Sequence, residues 1–245
     1  MVLDWKTTYP NFREADIFRA IDRLLSAQQD EVCEVGDSWD YYFPFNSPNN
    51  SADDSKPTSF ISFLRFSLFR PRDIIVMIDI IKKLKVHHGE HAFVNMADFD
   101  NPEFRKQYSV YLLGEVKDQV SFYHTEDEYE AFLKFFEFLH GKWKFDYVLF
   151  LEAYDLLISF LNATRIPIPD FFESPNRFLQ YLFDLNVISY VERMEDGTAH
   201  VHWCYRERSY ANISPKVKAH KEYEIHYGLG KMLNIGKEIK RSEYR

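Results

Sequence analysis

The sequence predicts a mainly α-helical protein, a helical bundle followed by a winged helix with one β-hairpin. Apolar side chains recur at helical spacing through most of the 245 residues. Towards the C-terminus, Asp196-Gly197 separates two short runs rich in β-branched and aromatic residues, which is the pattern of a hairpin. The chain is also 46% apolar and 18% aromatic, so it can bury a sizeable core.

The N-terminal helices are predicted from apolar residues that fall on one face of each. They cover residues 11–28, 59–69, 70–86, 103–122 and 125–140. Asn11 is a candidate cap for the first helix. Thr125-Glu126-Asp127-Glu128 has the capping-box pattern at the start of the last helix, and Gly141 takes the position that follows a helix end. These helices form a predicted first domain, residues 1–141.

An acidic and aromatic segment, residues 30–45, joins the first two of these helices. No Lys or Arg occurs from Leu24 to Ser55, and the segment holds five aromatic residues. Two interpretations are open, a docking edge for a partner or an irregular segment whose aromatics pack on the helical body, and the second is preferred. The turn-rich residues that follow predict a mobile acidic loop near 46–58.

The second predicted domain, residues 142–245, has the outline of a winged helix, two helices and then a hairpin. Ser174-Pro175 is a cap followed by a proline at the first helical position. The preceding residues, Ile166-Pro167-Ile168-Pro169, predict an extended connector before that cap. Helices are predicted over 146–162, 175–186 and, interrupted at Gly228 and Gly230, 215–235, with strands over 187–191 and 199–205.

Composition and charge limit the classes of function. The net charge of −8 opposes binding to nucleic acid or to anionic membranes. Two cysteines are too few for a disulfide framework or a structural zinc site, which favours a reduced, cytoplasmic setting. The first residues lack the apolar stretch of a signal peptide, and no apolar run approaches the ~20 residues of a membrane-spanning helix.

The start of the helix at Pro71 carries two cations where helices prefer anions. Pro71 suits a first helical position because its φ is fixed and it lacks an N–H. Arg70 and Arg72 flank the positive end of the helix dipole, an arrangement that calls for an anion nearby. Asp73 is one source of that negative charge and an external phosphate is another, so the three residues are a candidate anion- or partner-binding corner.

These residues also support a resemblance to a known family. The Arg70-Pro71-Arg72-Asp73 helix, the helical stretch Tyr108-Ser109-Val110-Tyr111-Leu112 and the helix–helix–wing that follows resemble the region after the nucleotide-binding core in bacterial P-loop ATPases of the AAA+/STAND group, particularly FunZ-like ones. The resemblance covers roughly residues 60–235. It implies a helical lid, a lid arginine that approaches nucleotide phosphates, a winged helix, and a bacterial setting with a role in defence.

The chain departs from that family because the nucleotide-binding core is missing. No Gly-x-x-x-x-Gly-Lys-Ser/Thr motif occurs, and Gly228-Leu229-Gly230-Lys231-Met232 lacks its spacing and its hydroxyl. The sequence therefore predicts no enzymatic activity and no cofactor. It predicts a non-catalytic interaction or regulatory module with a protein partner, and a separate P-loop ATPase is the partner class that the resemblance implies.

The helix that begins at Pro175 and the wing supply the predicted interaction surface. Its residues are Arg177, Gln180, Asp184 and Arg193. A winged-helix DNA-binding protein is the alternative, because the second helix of such motifs often enters the major groove. However, that helix offers one arginine and the wing tip is acidic. Lys216, Lys218 and Lys221 form the better nucleic-acid patch, although a solvated surface explains them equally well.

A zinc hydrolase is a remote alternative that depends on one motif. His87-His88-Gly89-Glu90-His91 matches the His-x-x-Glu-His pattern, in which two histidines bind zinc and the glutamate activates water. The central glycine lowers helix propensity by ~1 kcal/mol relative to alanine. The preceding lysines are typical of a helix C-terminus. A solvated loop is therefore the preferred interpretation, and no metal site is predicted.

Overall fold

The computed structural model describes residues 5–30, 33–48, 55–87, 89 and 93–236. The chain divides into two compact units, Met1–Tyr108 and Ser109–Arg245. The division falls within the helix over Pro102–Ser121 and so precedes the boundary after residue 141 that the sequence suggests. The reason is that the helix over Glu126–Phe138 packs against the helix over Tyr147–Thr164 and so belongs to the second unit.

The predicted fold class is confirmed, because the described residues are mainly helical and include one small antiparallel sheet with a β-hairpin. The helices are α1 (Asp16–Ser26), α2 (Asp37–Tyr42), α3 (Phe60–Phe66), α4 (Pro71–His87), α5 (Met96–Asp100), α6 (Pro102–Ser121), α7 (Glu126–Phe138), α8 (Tyr147–Thr164), α9 (Pro175–Asp184) and α10 (Cys204–Glu207). The strands are β1 (Lys144–Asp146), β2 (Ile188–Arg193), β3 (Ala199–His202) and β4 (Glu222–Ile225).

The first helix begins later than its apolar pattern suggests. A short 3-10 helix over Phe12–Glu14 precedes α1, and the Asn11 side chain makes no capping hydrogen bond. The N-terminus of α2 is capped from another element, because the buried Asp22 of α1 accepts hydrogen bonds from the backbone N–H groups of Gly36 (2.8 Å) and Trp39 (2.9 Å). That carboxylate stabilises the positive end of α2.

The core of the first unit is aromatic, and the segment over 30–45 contributes to it. Trp39 is fully buried and contacts the rings of Phe43 and Phe60, with centroid distances of 4.1 and 4.8 Å. Its indole N–H donates to Ser59 Oγ at 2.8 Å. Tyr41, in contrast, is 60% exposed. The packing interpretation therefore holds for the central aromatics of this segment.

The predicted mobile loop near 46–58 is described only at its two ends, because residues 49–54 lie outside the described residues. Those ends are joined by hydrogen bonds. The backbone N–H of Ser47 donates to Thr58 Oγ1, and the backbone N–H of Thr58 donates to Asn46 Oδ1, both at 3.0 Å.

The second unit builds its sheet in the order β1-β4-β2-β3, with every neighbouring pair antiparallel. The β2–β3 hairpin turns at Asp196-Gly197, as predicted, and Gly197 has a φ of 82°. The fourth strand, β4, overturns the helix expected over 215–235. Tyr223 and Ile225 alternate with Glu222 and Glu224 on a strand that pairs with β1 and β2, and a 3-10 helix over Tyr227–Leu229 follows.

Phe178 of α9 lies at the centre of the aromatic core of the second unit. Its ring lies 4.5 Å from Phe172, 4.8 Å from Phe135 of α7 and 6.1 Å from Phe150 of α8, measured between centroids. Helices α7 and α8 therefore both pack against α9 through Phe178.

Among the described residues, one helix is long and apolar enough to cross a membrane by length and composition alone. This is α8, with a mean hydropathy of 1.2. Its inner face, which includes Phe150 and Leu157, is buried within the second unit, and it packs against α7. Core helices of soluble proteins meet the same two criteria, so this observation assigns no membrane role.

Candidate functional site

The residues before α9 bring its N-terminal end into a fixed position. Ser174 Oγ accepts a hydrogen bond from the backbone N–H of Arg177 at 3.3 Å, and Pro175 occupies the first helical position, as predicted. A 3-10 helix over Asp170–Phe172 precedes this cap. The Tyr154 hydroxyl of α8 donates to the Phe172 carbonyl at 2.5 Å, which ties the 3-10 helix to the core.

A pocket of about 350 Å³ lies between this 3-10 helix, α9 and the turn that precedes α7. We call it the α9 pocket. Its lining residues are His124, Asp170, Phe171, Arg177, Gln180, Tyr181 and Asp184. Three of the four predicted interaction residues therefore come together here: Arg177, Gln180 and Asp184.

The floor of the α9 pocket is aromatic. The rings of Phe171 and Tyr181 stack with centroids 4.6 Å apart and planes 11° apart. The His124 ring meets Phe171 edge-on at 4.7 Å, and its Nδ1 lies 3.6 Å from a carboxylate oxygen of Glu128. Burial, reinforced by the Glu128 charge, raises the pKa of Tyr181 to about 12. The Tyr181 hydroxyl therefore stays neutral at physiological pH.

The rim of the pocket combines charges of both signs. Arg177 forms an ion pair with Glu173 one turn before it on the chain, and both side chains are more than half exposed. Asp170 also lines the pocket and is exposed, and among the described residues its carboxylate accepts no hydrogen bond. Asp170 is thus available to a cation from outside the chain.

Gln180 and Asp184 form hydrogen bonds that stabilise the wall of the pocket. Gln180 Nε2 donates to the Pro215 carbonyl at 3.0 Å, and Gln180 Oε1 accepts from the backbone N–H of Val217 at 3.1 Å. These bonds attach the segment before β4 to α9. Asp184 Oδ1 accepts from Gln180 Nε2 at 2.8 Å, and the Cys204 thiol lies 3.8 Å from it. Burial raises the pKa of that thiol, which disfavours the thiolate.

Arg193, the fourth predicted residue, is not part of the pocket. It lies at the end of β2 and donates to Glu222 of β4 at 2.8 Å. Sequence reasoning missed four lining residues, His124, Asp170, Phe171 and Tyr181. Two signals in the sequence could have found them. The capping box at Thr125 marks the turn that carries His124, and the connector before Ser174 leads into Asp170.

Two of the three lysines of the predicted nucleic-acid patch converge on one carboxylate. Lys218 Nζ lies 2.9 Å from Glu192 Oε2 of β2, and Lys221 Nζ lies 3.0 Å from Glu192 Oε1. Hydrogen bonds from Lys218 and then Lys221 lower the pKa of Glu192 to about 2. Lys216 is exposed. Glu192 of β2 therefore offsets part of the positive charge of this patch.

The Arg70 corner contains an anion of its own. Asp73 is fully buried and accepts hydrogen bonds from Arg70 Nε (3.0 Å) and Nη2 (2.7 Å) and from the backbone N–H of Leu68 (2.9 Å). The Arg70 side chain is 31% exposed, and Arg72 is exposed at the same helix start. The negative charge that this helix start calls for thus comes from Asp73.

The zinc-hydrolase motif is described only in part. His87 is the last residue of α4, whereas His88, Glu90 and His91 lie outside the described residues. The helix does end at this motif, as the lysine-rich sequence before it predicts. The zinc hypothesis itself stays a prediction.

Comparisons with models of protein families, with curated proteins and with solved structures give no match for this chain.

Proposed function

We propose that this chain is a non-catalytic interaction module that binds a protein partner through the α9 pocket. The observation that carries the proposal is the convergence of the exposed Arg177 with the partly exposed Tyr181 ring, which the buried Phe171 supports, in one concave site. Arginine and aromatic side chains in a pocket are the groups that most often anchor protein–protein interfaces.

The resemblance to the lid and winged helix of STAND-type ATPases supplies the class of partner. It supports a separate P-loop ATPase in the bacterial cytoplasm, with this chain as a detached regulatory part. In that arrangement Arg70 and Arg72 lie at a helix start as a lid arginine would, with Arg70 held by Asp73. A role in bacterial defence follows from the resemblance alone.

Site-specific photo-crosslinking in the native host tests the proposal. The photoreactive residue p-benzoylphenylalanine replaces the exposed Asn176, one turn before Gln180 on α9, which leaves every lining residue of the pocket in place, or, as the control, the exposed Ser159 of α8. We expect a protease-sensitive adduct at position 176 that is absent at position 159, and a P-loop ATPase in that adduct would support the family resemblance. No adduct at 176, or equal adducts at both positions, would overturn the proposal.

A DNA-binding function is the second candidate, supported by the helix–helix–hairpin order and by the cluster of lysines before β4. If that patch bound duplex DNA, removing its internal anion would strengthen binding. Glu192→Gln should then raise the affinity of a mixed-sequence duplex about tenfold and steepen its salt dependence, because Lys218 and Lys221 would be released. Under our proposal both forms bind duplex weakly and alike.

A further inference from the structure

We infer that the α9 pocket receives a cationic side chain, lysine or arginine, from its protein partner. This inference rests on the proposed function and adds the chemistry of the group that the pocket recognises.

The charges of the rim favour a cation. Among the lining side chains, Asp170 and Asp184 carry negative charge and Arg177 is the cation opposing them. Arg177 is already paired with Glu173, and Glu128 adds a further carboxylate beside His124. Asp170 is exposed and its carboxylate accepts no hydrogen bond from the described residues, so its charge is available to a ligand.

The aromatic floor adds a second attraction for the same kind of group. Phe171 is 3% exposed and stacks beneath Tyr181, which is partly exposed, so Tyr181 offers a ligand a ring surface that Phe171 holds in place. The aliphatic stem of lysine or arginine can pack on this surface while its charged head reaches Asp170. A cation near the face of an aromatic ring gains about 0.5–2 kcal/mol from the ring quadrupole, depending on its desolvation.

Other ligand classes fit the pocket less well. A phosphate or carboxylate would approach Asp170 and Asp184 and would have to compete with Glu173 for Arg177. An uncharged aliphatic group would cover the rings but would leave the Asp170 carboxylate without a counter-charge. The combination of an apolar floor and an unneutralised carboxylate is satisfied best by a long cationic side chain.

A titration with small probes tests this inference on the intact chain. N-acetyl-arginine amide and its uncharged isostere, N-acetyl-citrulline amide, are added while the NMR resonances of the His124 and Tyr181 rings are followed. We expect saturable shifts with the arginine probe and binding at least about tenfold weaker with the citrulline probe. Equal shifts with both probes would overturn the inference.

Matched variants locate the binding group. Asp170→Asn keeps the size and exposure of the side chain but removes its charge, and should weaken binding of the arginine probe several-fold. Asp155→Asn removes a charge from the exposed face of α8, outside the pocket, and should leave binding unchanged. An Asp170→Asn variant that binds the arginine probe as tightly as the natural chain would contradict the assignment.

The photo-crosslinking and the probe titration distinguish a failure of the proposed function from a failure of this inference. If the protein adduct forms at position 176 while the arginine probe does not bind, the cationic ligand is wrong and the interaction module stands. If the probe binds at Asp170 while no protein adduct forms, the chemistry of the pocket stands and the protein partner is wrong.

Discussion

Asp73 links the residues that follow α3 to the start of α4 with one buried carboxylate. Its oxygens accept from the backbone N–H of Leu68 and from two nitrogens of Arg70. Phe69, between them, adopts a φ of 55°, a left-handed conformation that costs a non-glycine residue about 1 kcal/mol or more. The hydrogen bonds of Asp73 offset that cost, so this tight corner depends on the carboxylate.

Asp73→Asn should therefore lower the free energy of unfolding by about 2 kcal/mol. An amide retains one acceptor oxygen and presents an N–H₂ group to the Arg70 guanidinium, so buried hydrogen bonds are lost. The control is Asp79→Asn, which removes an exposed pair with Lys83 on the same helix and should cost less than about 0.5 kcal/mol. Urea denaturation followed by circular dichroism measures both. Equal losses in the two variants would contradict the role of Asp73.

Glu192 illustrates a limit of reading charges from a sequence. Lys218 and Lys221 stand in a basic run, so the sequence suggests an exposed positive patch. Their counter-charge comes from a strand about 26 residues earlier in the chain, in the range where no local pattern links the groups. The Arg70–Asp73 pair, in contrast, spans three residues, and the sequence pointed to Asp73 as a source of the anion.

The helices and the sheet differ in how far local sequence predicts them. The capping box of α7 and the Ser174 cap of α9 are local signals, and both occur as predicted. The strands β1 and β4 have three and four residues and exist through their pairing with each other and with β2. A strand that short has no periodicity of its own, so the helical prediction over 215–235 was wrong.

In the candidate site, too, some residues can be predicted from local sequence and others depend on contacts between distant segments. The residues on α9 were found because a helix surface can be read from its spacing. His124 and Asp170 reach the pocket from two other turns, and their approach depends on how Phe171 and Phe172 pack against the core. Packing of that kind is decided by contacts between distant segments, which a single sequence does not display.

At the level of elements, Phe178 anchors α9, α7 and α8 together. Phe178→Ala should reduce the free energy of unfolding by about 3–5 kcal/mol, because a fully buried ring is replaced by a cavity. Phe122→Ala is the matched control, since that ring is 77% exposed, and it should change stability by less than about 0.5 kcal/mol. Thermal unfolding followed by circular dichroism compares the two, and similar midpoints would refute the central position of Phe178.

Over the whole molecule, each unit has an aromatic core of its own, centred on Trp39 in the first and on Phe178 in the second. The chain as a whole carries a net charge of −8. Composition predicted a sizeable buried core, because the chain holds 23 phenylalanines and 16 tyrosines, but it did not predict that each unit has its own. Several of those tyrosines keep their hydroxyl groups in poorly hydrated surroundings, and this gives the second unit a distinct response to alkali.

Tyr129, Tyr181 and Tyr223 all belong to the second unit, and burial is the largest cause that raises the pKa of each to about 12. In the unfolded chain a tyrosine ionises near pH 10. Between about pH 10 and pH 12 the unfolded state therefore releases protons that the folded state retains. Stability should fall as the pH rises through that interval, and these tyrosines should contribute no pH dependence below it.

Circular dichroism and tyrosinate absorbance, recorded together during an alkaline titration, test this expectation. Tyr181→Phe keeps the stacked ring and removes one raised pKa, so the midpoint of alkaline unfolding should move to higher pH. Tyr123→Phe removes a hydroxyl from a side chain that is 81% exposed and should leave the midpoint in place. If both variants unfold at the pH of the natural chain, the folded state does not hold the Tyr181 proton, and burial at the floor of the α9 pocket is weaker than the packing of Phe171 implies.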